Sequence, residues 1–166
     1  IKHNGDTQSF ISHCFREEFF FNHIEGKTRD EVIANMCERI SEKYPLPEDF
    51  YALVMERESV SPTEVGNRIA IPHPIRLVMD ETFVAVGVLD KPIKWDKQQV
   101  KFVFMLCIQK DTEEALSIFN EVLSSLVLNS QRILELEKQP EFKTIKTYID
   151  SLSQEKSETF KESIFL

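Results

Sequence analysis

Two apolar runs constrain this chain more than any other feature. Thr82–Leu89 (TFVAVGVL) and Val100–Ile108 (VKFVFMLCI) are rich in β-branched and aromatic residues, and the second is apolar almost without a break. A strand with one wet face alternates apolar and polar residues; runs like these fit central strands buried on both faces. Such strands need a layer of helices on each side, and helical periodicity lies both before and after the pair. The expected architecture is an α/β or α+β layered domain with a central sheet covered on both faces, its strand order left open.

Caps and spacing predict the helices. Thr28, with Glu31 three residues on, forms a capping box, and Val32, Ile33, Met36 and Ile40 share one face, predicting a helix over Arg29–Lys43. Pro45 and Pro47 stop it. Pro47 suits the first turn of a second helix, about Glu48–Glu58, which buries Phe50, Leu53 and Val54 and carries Arg57 at its end. After Asp111, Leu116, Phe119, Val122, Leu123, Leu126 and Val127 follow the helical period. Ser130–Lys138 and Pro140–Leu152 read as two further helices. Shorter strands are expected at Glu18–Asn22, Arg68–Ile71 and, as an edge strand, Pro92–Trp95, with a loop over Ser59–Gly66.

These elements predict one domain over residues 10–152, preceded by a linker or ragged end at residues 1–9 and followed by a C-terminal tail at residues 153–166, frayed or docked as a short helix. The chain opens on Ile1, and the expectation is a piece of something longer or a trimmed chain.

Charge and cysteine usage narrow the function. The 28 acidic residues outnumber the 20 basic ones, for a net charge of -8. That weighs against direct nucleic-acid binding by this domain, which needs a basic face. The longest apolar runs fall far short of the about 18 residues a membrane span requires, and no secretion signal opens the chain. Cys14, Cys37 and Cys107 are odd in number and lack paired metal-ligand spacing, so they read as reduced packing residues of a cytoplasmic protein. No metal and no organic cofactor is expected.

One segment is chemically loaded: Ser61–Ile75, SPTEVGNRIAIPHPI. His73 stands just past a short apolar strand, between Pro72 and Pro74. Pro74 biases it to extended backbone and the ring of Pro72 stiffens the approach. An imidazole held this way is neutral and nucleophilic near physiological pH and suits a nucleophile or general base. On chemistry alone, a structural turn histidine stays open as the other reading. His3, His13 and His23 show no metal-ligand spacing.

The run R-I-A-I-P-H, preceded by E-R-E and S-P-T, resembles the mannitol/fructose-type enzyme IIA domains of the bacterial sugar phosphotransferase system. The likeness extends from about Phe15 to Leu152: a capped helix, the E-R-E helix end, the S-P-T loop, G-N-x-I-A-I-P-H, two strong strands and three closing helices, in the family's order. It implies an α/β fold, a central mixed β-sheet flanked by helices on both faces. In that family the histidine of A-I-P-H accepts a phosphoryl group from the phosphocarrier HPr and passes it on, so the resemblance implies His73 as phosphoacceptor. It implies Arg57 as the arginine beside that histidine, where a guanidinium stabilises charge on the transferring oxygens. A surface arginine paired with Glu56 or Glu58 is the other reading of Arg57. Thr63 matches a small hydroxyl that bonds a phosphate oxygen or the imidazole, and a turn-capping threonine is its other reading.

Two departures bear on the branch of the family. Transport components usually begin the helix after the second strong strand with another active-site histidine; the matching position here is Ala115, which weighs against efficient onward transfer to a IIB partner. His73 is also followed by Pro74 where transport components more often carry a small residue. A-I-P-H-P, with the Phe-rich entry and V-M-E-R-E, is similar to the enzyme IIA-like domain at the C-terminus of BglG-family transcriptional regulators and antiterminators. That similarity implies a phosphohistidine regulatory domain, with HPr or a IIB phosphoprotein as partner and regulatory (PRD) and nucleic-acid-binding modules upstream. A transport-side enzyme IIA relaying phosphate from HPr to IIB is the alternative.

Overall fold

The two apolar runs pair with each other. In the computed structural model, which describes residues 10–152, they lie within β4 (Phe83–Lys94) and β5 (Gln99–Cys107), antiparallel partners at the middle of a five-stranded sheet. The other strands are β1 (Phe20–Ile24), β2 (Glu64–Gly66) and β3 (Ile69–Ala70), in the order β1-β4-β5-β3-β2. β1 runs parallel to β4 and β3 parallel to β5, while β2 closes the edge antiparallel to β3, so the sheet is mixed. The helices are α1 (residues 10–14), α2 (Arg29–Ser41), α3 (Phe50–Val60), α4 (Glu113–Val127), α5 (Ser130–Lys138) and α6 (residues 142–152).

Successive strand residues point to opposite faces, and here both faces are dry. Val84, Val86, Phe102, Phe104 and Leu106 join a core built with α1, α4, α5 and α6, including Phe119, Leu123, Ile133 and Ile149. Phe83, Ala85, Val103, Met105 and Cys107 face the other way, against Val32, Met36 and Ile40 of α2 and Phe50 and Val54 of α3. The α2 helix lies flush on the sheet at Gly87, where an added Cβ would stand 2.3 Å from the Met36 sulfur.

The expected layering is found, with adjusted boundaries. Thr28 caps α2 by accepting from the Glu31 amide at 3.2 Å, while the Glu31 carboxylate reaches past the cap to the Lys27 amide at 2.7 Å. Pro47 lies ahead of α3 rather than in its first turn: its carbonyl accepts from the Phe50 amide in a preceding turn, and the helix runs on to Val60. β1 begins two residues later than expected, after a single 3-10 turn at Glu17–Phe19. The expected edge strand at Pro92–Trp95 is the far end of β4, which resumes pairing at Ile93↔Val100 after a register shift. Pro92 falls in the interruption, where it has no amide to withhold from the ladder.

The largest correction concerns Ser59–Gly66, expected as loop. Its last three residues are β2, joined to β3 by a two-residue turn in which Asn67 and Arg68 have φ of 50° and 69°. Two consecutive left-handed residues match the right-handed twist of a hairpin. The Asn67 side chain supports this turn by donating to the Val127 carbonyl at 2.8 Å and to Ser130 Oγ at 3.3 Å. The expectations for residues 1–9 and 153–166 lie outside the described residues.

Candidate functional site

The β2–β3 hairpin delivers His73, and three backbone bonds fix the delivery. The Ile71 amide donates to the Thr63 carbonyl at 2.9 Å, and Leu106 in β5 donates to the Pro72 carbonyl at 3.0 Å. Beyond the histidine, the Ile75 amide donates to the Leu53 carbonyl of α3 at 3.0 Å. Pro72 and Pro74, both buried, remove the amides and the backbone freedom that would let the segment swing. His73 is therefore clamped from the sheet on one side and from α3 on the other.

The imidazole is half-buried, and its Nδ1 lies 2.9 Å from the Ile71 carbonyl oxygen. A carbonyl only accepts, so Nδ1 carries the proton and donates, leaving the Nε2 lone pair free in the neutral ring. Burial pushes the His73 pKa below the usual imidazole value. The Arg57 charge pushes the same way, while the Ile71 bond and the Glu58 charge oppose it. The neutral, nucleophilic form thus persists to lower pH than in a free histidine.

Arg57 and Glu58, adjacent in the last turns of α3, have different tasks. Arg57 Nη1 donates to the Ser61 carbonyl at 2.7 Å, and the ion pair with Glu56 or Glu58 left open by the sequence is not formed. Glu58 turns inward and is 2% exposed. Its carboxylate accepts from the Thr63 amide at 3.1 Å, from the Thr63 hydroxyl, and from the Trp95 indole at 3.3 Å. Thr63 faces the same groove as His73, with its hydroxyl committed to Glu58. Glu64, next in sequence, accepts from the amides of Asp96, Lys97 and Gln98 and so ties the turn between β4 and β5 to this hairpin.

Arg57, Pro62, Thr63, Val65, Ile71 and His73 line one open groove of roughly 320 Å³, which α4 completes with Leu116 and Asn120. Ala115, the position singled out in the sequence, is buried in the core and does not line the groove. Two residues escaped the sequence reading. Glu58 stood in the E-R-E run, where its burial had no visible signal, and Asn120 sits one helical turn after Leu116, a spacing that would have placed it on the same face.

His23 is exposed on the sheet edge with Nδ1 2.7 Å from an Asp90 carboxylate oxygen, and His3 lies outside the described residues. Burial pushes the Cys14 and Cys37 thiols up to about 12 and Cys107 well above its usual value, so these are packing groups. Among the described residues no cluster of three or more His, Cys, Asp or Glu could hold a metal ion, and no helix is long and apolar enough to cross a membrane.

Comparison with known proteins adds an independent line. The family model described as "Phosphoenolpyruvate-dependent sugar phosphotransferase system, EIIA 2" matches residues 13–152. A Bacillus subtilis (strain 168) protein described as "Probable licABCH operon regulator" is 32% identical over 123 residues, covering 74% of this chain and 19% of that protein. The "Mannitol-specific phosphotransferase enzyme IIA component" of Halalkalibacterium halodurans is 29% identical over 126 residues, covering 70% of this chain and 83% of that one. Among solved structures, the nitrogen regulatory protein IIA-Ntr of Neisseria meningitidis superposes with a TM-score of 0.72 at 17% identity, over 84% of this chain and 99% of that one. The chain thus spans about a fifth of the length of the regulator it matches.

Proposed function

The chain belongs to the EIIA 2 family of the phosphoenolpyruvate-dependent sugar phosphotransferase system, and from that membership we propose that it is the phosphohistidine regulatory domain of a bacterial transcriptional regulator or antiterminator, phosphorylated on His73. The observation that carries the proposal is the clamped imidazole whose Nδ1 donates to Ile71, which leaves the Nε2 lone pair free on a ring that lines one groove with Arg57.

The transfer balances without moving a proton. The Nε2 lone pair attacks phosphorus on a donor histidine whose ring is protonated on its other nitrogen. A new N–P bond forms as the donor's breaks, and that electron pair returns to the donor nitrogen, which leaves as neutral imidazole. The His73 ring keeps its Nδ1 proton and takes up the positive charge. Arg57 stabilises the negative charge spread over the phosphoryl oxygens through charge-assisted hydrogen bonds.

HPr or a IIB phosphoprotein is the proposed partner, in the cytoplasm. Nucleic acid would be handled by modules elsewhere in the longer polypeptide, which fits a domain with a net charge of -8. The proposed phosphoacceptor unit is residues 10–152, with residues 1–9 as linker and 153–166 as tail. A bound phosphoryl group adds about -1.5 to -2 of charge, enough to bias contacts with neighbouring modules. The similarity to a regulator favours this branch, as does a groove to which α4 brings Leu116 and Asn120 and no second imidazole.

Incubation with enzyme I, HPr and labelled phosphoenolpyruvate tests the first step. Label on the wild-type chain that disappears in His73→Ala is the expected result; undiminished label in the variant contradicts it. The similarity to a mannitol enzyme IIA component supports a second reading, a transport-side relay to IIB. Fast discharge of the phosphorylated chain onto a cognate IIB would favour that reading.

A further inference from the structure

Glu58 and Thr63 are the two buried polar side chains among the described residues, and they are bonded to each other at the groove that Thr63 lines. A carboxylate in such a place is costly unless it is hydrogen-bonded, and Glu58 accepts three bonds: two from Thr63 and one from the indole of Trp95. A continuous series of hydrogen bonds leaves this carboxylate and ends on the active ring. Thr63, held by Glu58, offers its carbonyl to the Ile71 amide, and Ile71 offers its own carbonyl to His73 Nδ1.

We propose that Glu58 is a positioning residue for phosphoryl transfer, which sets the Thr63–Ile71–His73 series and thereby the direction of Nε2, and whose negative charge balances the positive charge that the ring acquires on attack. The inference rests on His73 being the phosphoacceptor. It divides the work between neighbours in sequence. Arg57, at the groove, answers the phosphoryl oxygens; Glu58, buried, answers the imidazole. The two charges act on the resting ring in opposite senses, Arg57 disfavouring its protonated form and Glu58 favouring it. A site with arginine alone would hold the phosphate well and resist the charge that must develop on the nucleophile.

Trp95 extends the series to the turn between β4 and β5. It is the single tryptophan of the chain, so its emission reports on Glu58. Moving Thr63 or Glu58 when His73 takes up a phosphoryl group would alter the indole's one carboxylate partner.

The test compares the full chain with Glu58→Gln in single-turnover phosphorylation by phosphorylated HPr, alongside NMR titration of the His73 ring. Glutamine keeps the shape but removes the charge and cannot accept all three donors. The expected result is a rate constant about 10- to 100-fold lower at saturating donor, with the half-saturating donor concentration unchanged, and a His73 titration midpoint shifted to lower pH. A rate within twofold of wild type with an unmoved midpoint overturns the proposal and leaves the phosphoacceptor reading standing. Absence of label on wild-type His73 sinks that reading instead, and an unmoved midpoint then removes the role of Glu58 as well. Should Glu58→Gln fail to fold, Trp95→Phe serves: it deletes one donor to the carboxylate, a several-fold drop in the same rate constant is expected, and no drop overturns the proposal.

Discussion

The β4–β5 pair and the β2–β3 hairpin share one sheet and are held by different forces. β4 and β5 are long, and most of their side chains are buried between two apolar layers. Hydrophobic burial and close packing hold them, with the energy spread over many contacts. β2 and β3 are three and two residues long, too short to be held by packing alone. Polar side chains anchor them: Asn67 to the ends of α4 and α5, Arg68 to Glu137, Glu64 to the turn at residues 96–98, and Glu58 to Thr63. Directional bonds fix atoms to a place where packing fixes only a volume. The sheet therefore has its stability in one hairpin and the proposed phosphoacceptor at the end of the other.

That division predicts substitutions that separate the two. His73→Ala should abolish phosphoryl incorporation while leaving the urea unfolding midpoint close to wild type; a chain that unfolds would place the histidine in the stabilising part of the molecule. Phe104→Ala, in the middle of β5, should destabilise by about 3–5 kcal/mol through transfer and cavity terms, read from urea unfolding. Arg57→Ala should slow acceptance by about 10²- to 10³-fold in single-turnover assays, yet cost only about 1 kcal/mol of stability, the value of its bond to Ser61. Asn67→Ala removes two side-chain bonds and leaves alanine at a left-handed φ, so a loss of about 1–2 kcal/mol is expected. Asn67→Gly should recover part of it.

The smallest effect is one of pH. The folded His73 has a pKa below its unfolded value, so between those two values the unfolded chain binds a proton that the fold excludes. Stability should therefore fall as pH drops below about 6.5, and His73→Gln should lose that part of the slope in denaturation measured across the interval. Phosphoryl acceptance should hold its rate to lower pH than a free imidazole would allow.

The same contrast explains what could be read from the chain. The β4–β5 pair announces itself because burial on both faces demands apolar residues at every position, and α2 does so because Thr28 and Glu31 write its start. β2 does not, since three residues show no period and its Asn67-Arg68 turn lacks the usual glycine. His73 stood out through its flanking prolines and the surrounding motif, and the fold places it in one groove with Arg57 and Thr63. The inward turn of Glu58 did not stand out, because E-R-E reads as a solvated helix end and only the folded chain shows Thr63 and Trp95 closing over it. Pro92 misled in the other direction, dividing in the sequence a strand that pairs on either side of it.

Phosphorus–nitrogen NMR of the phosphorylated chain, with ¹⁵N in the histidine rings, identifies the nitrogen that carries phosphorus. One phosphoryl group is expected, on Nε2 of His73, with the Nδ1 proton still bonded to the Ile71 carbonyl. A phosphoryl group on Nδ1 of His73, or on another histidine, would contradict that expectation.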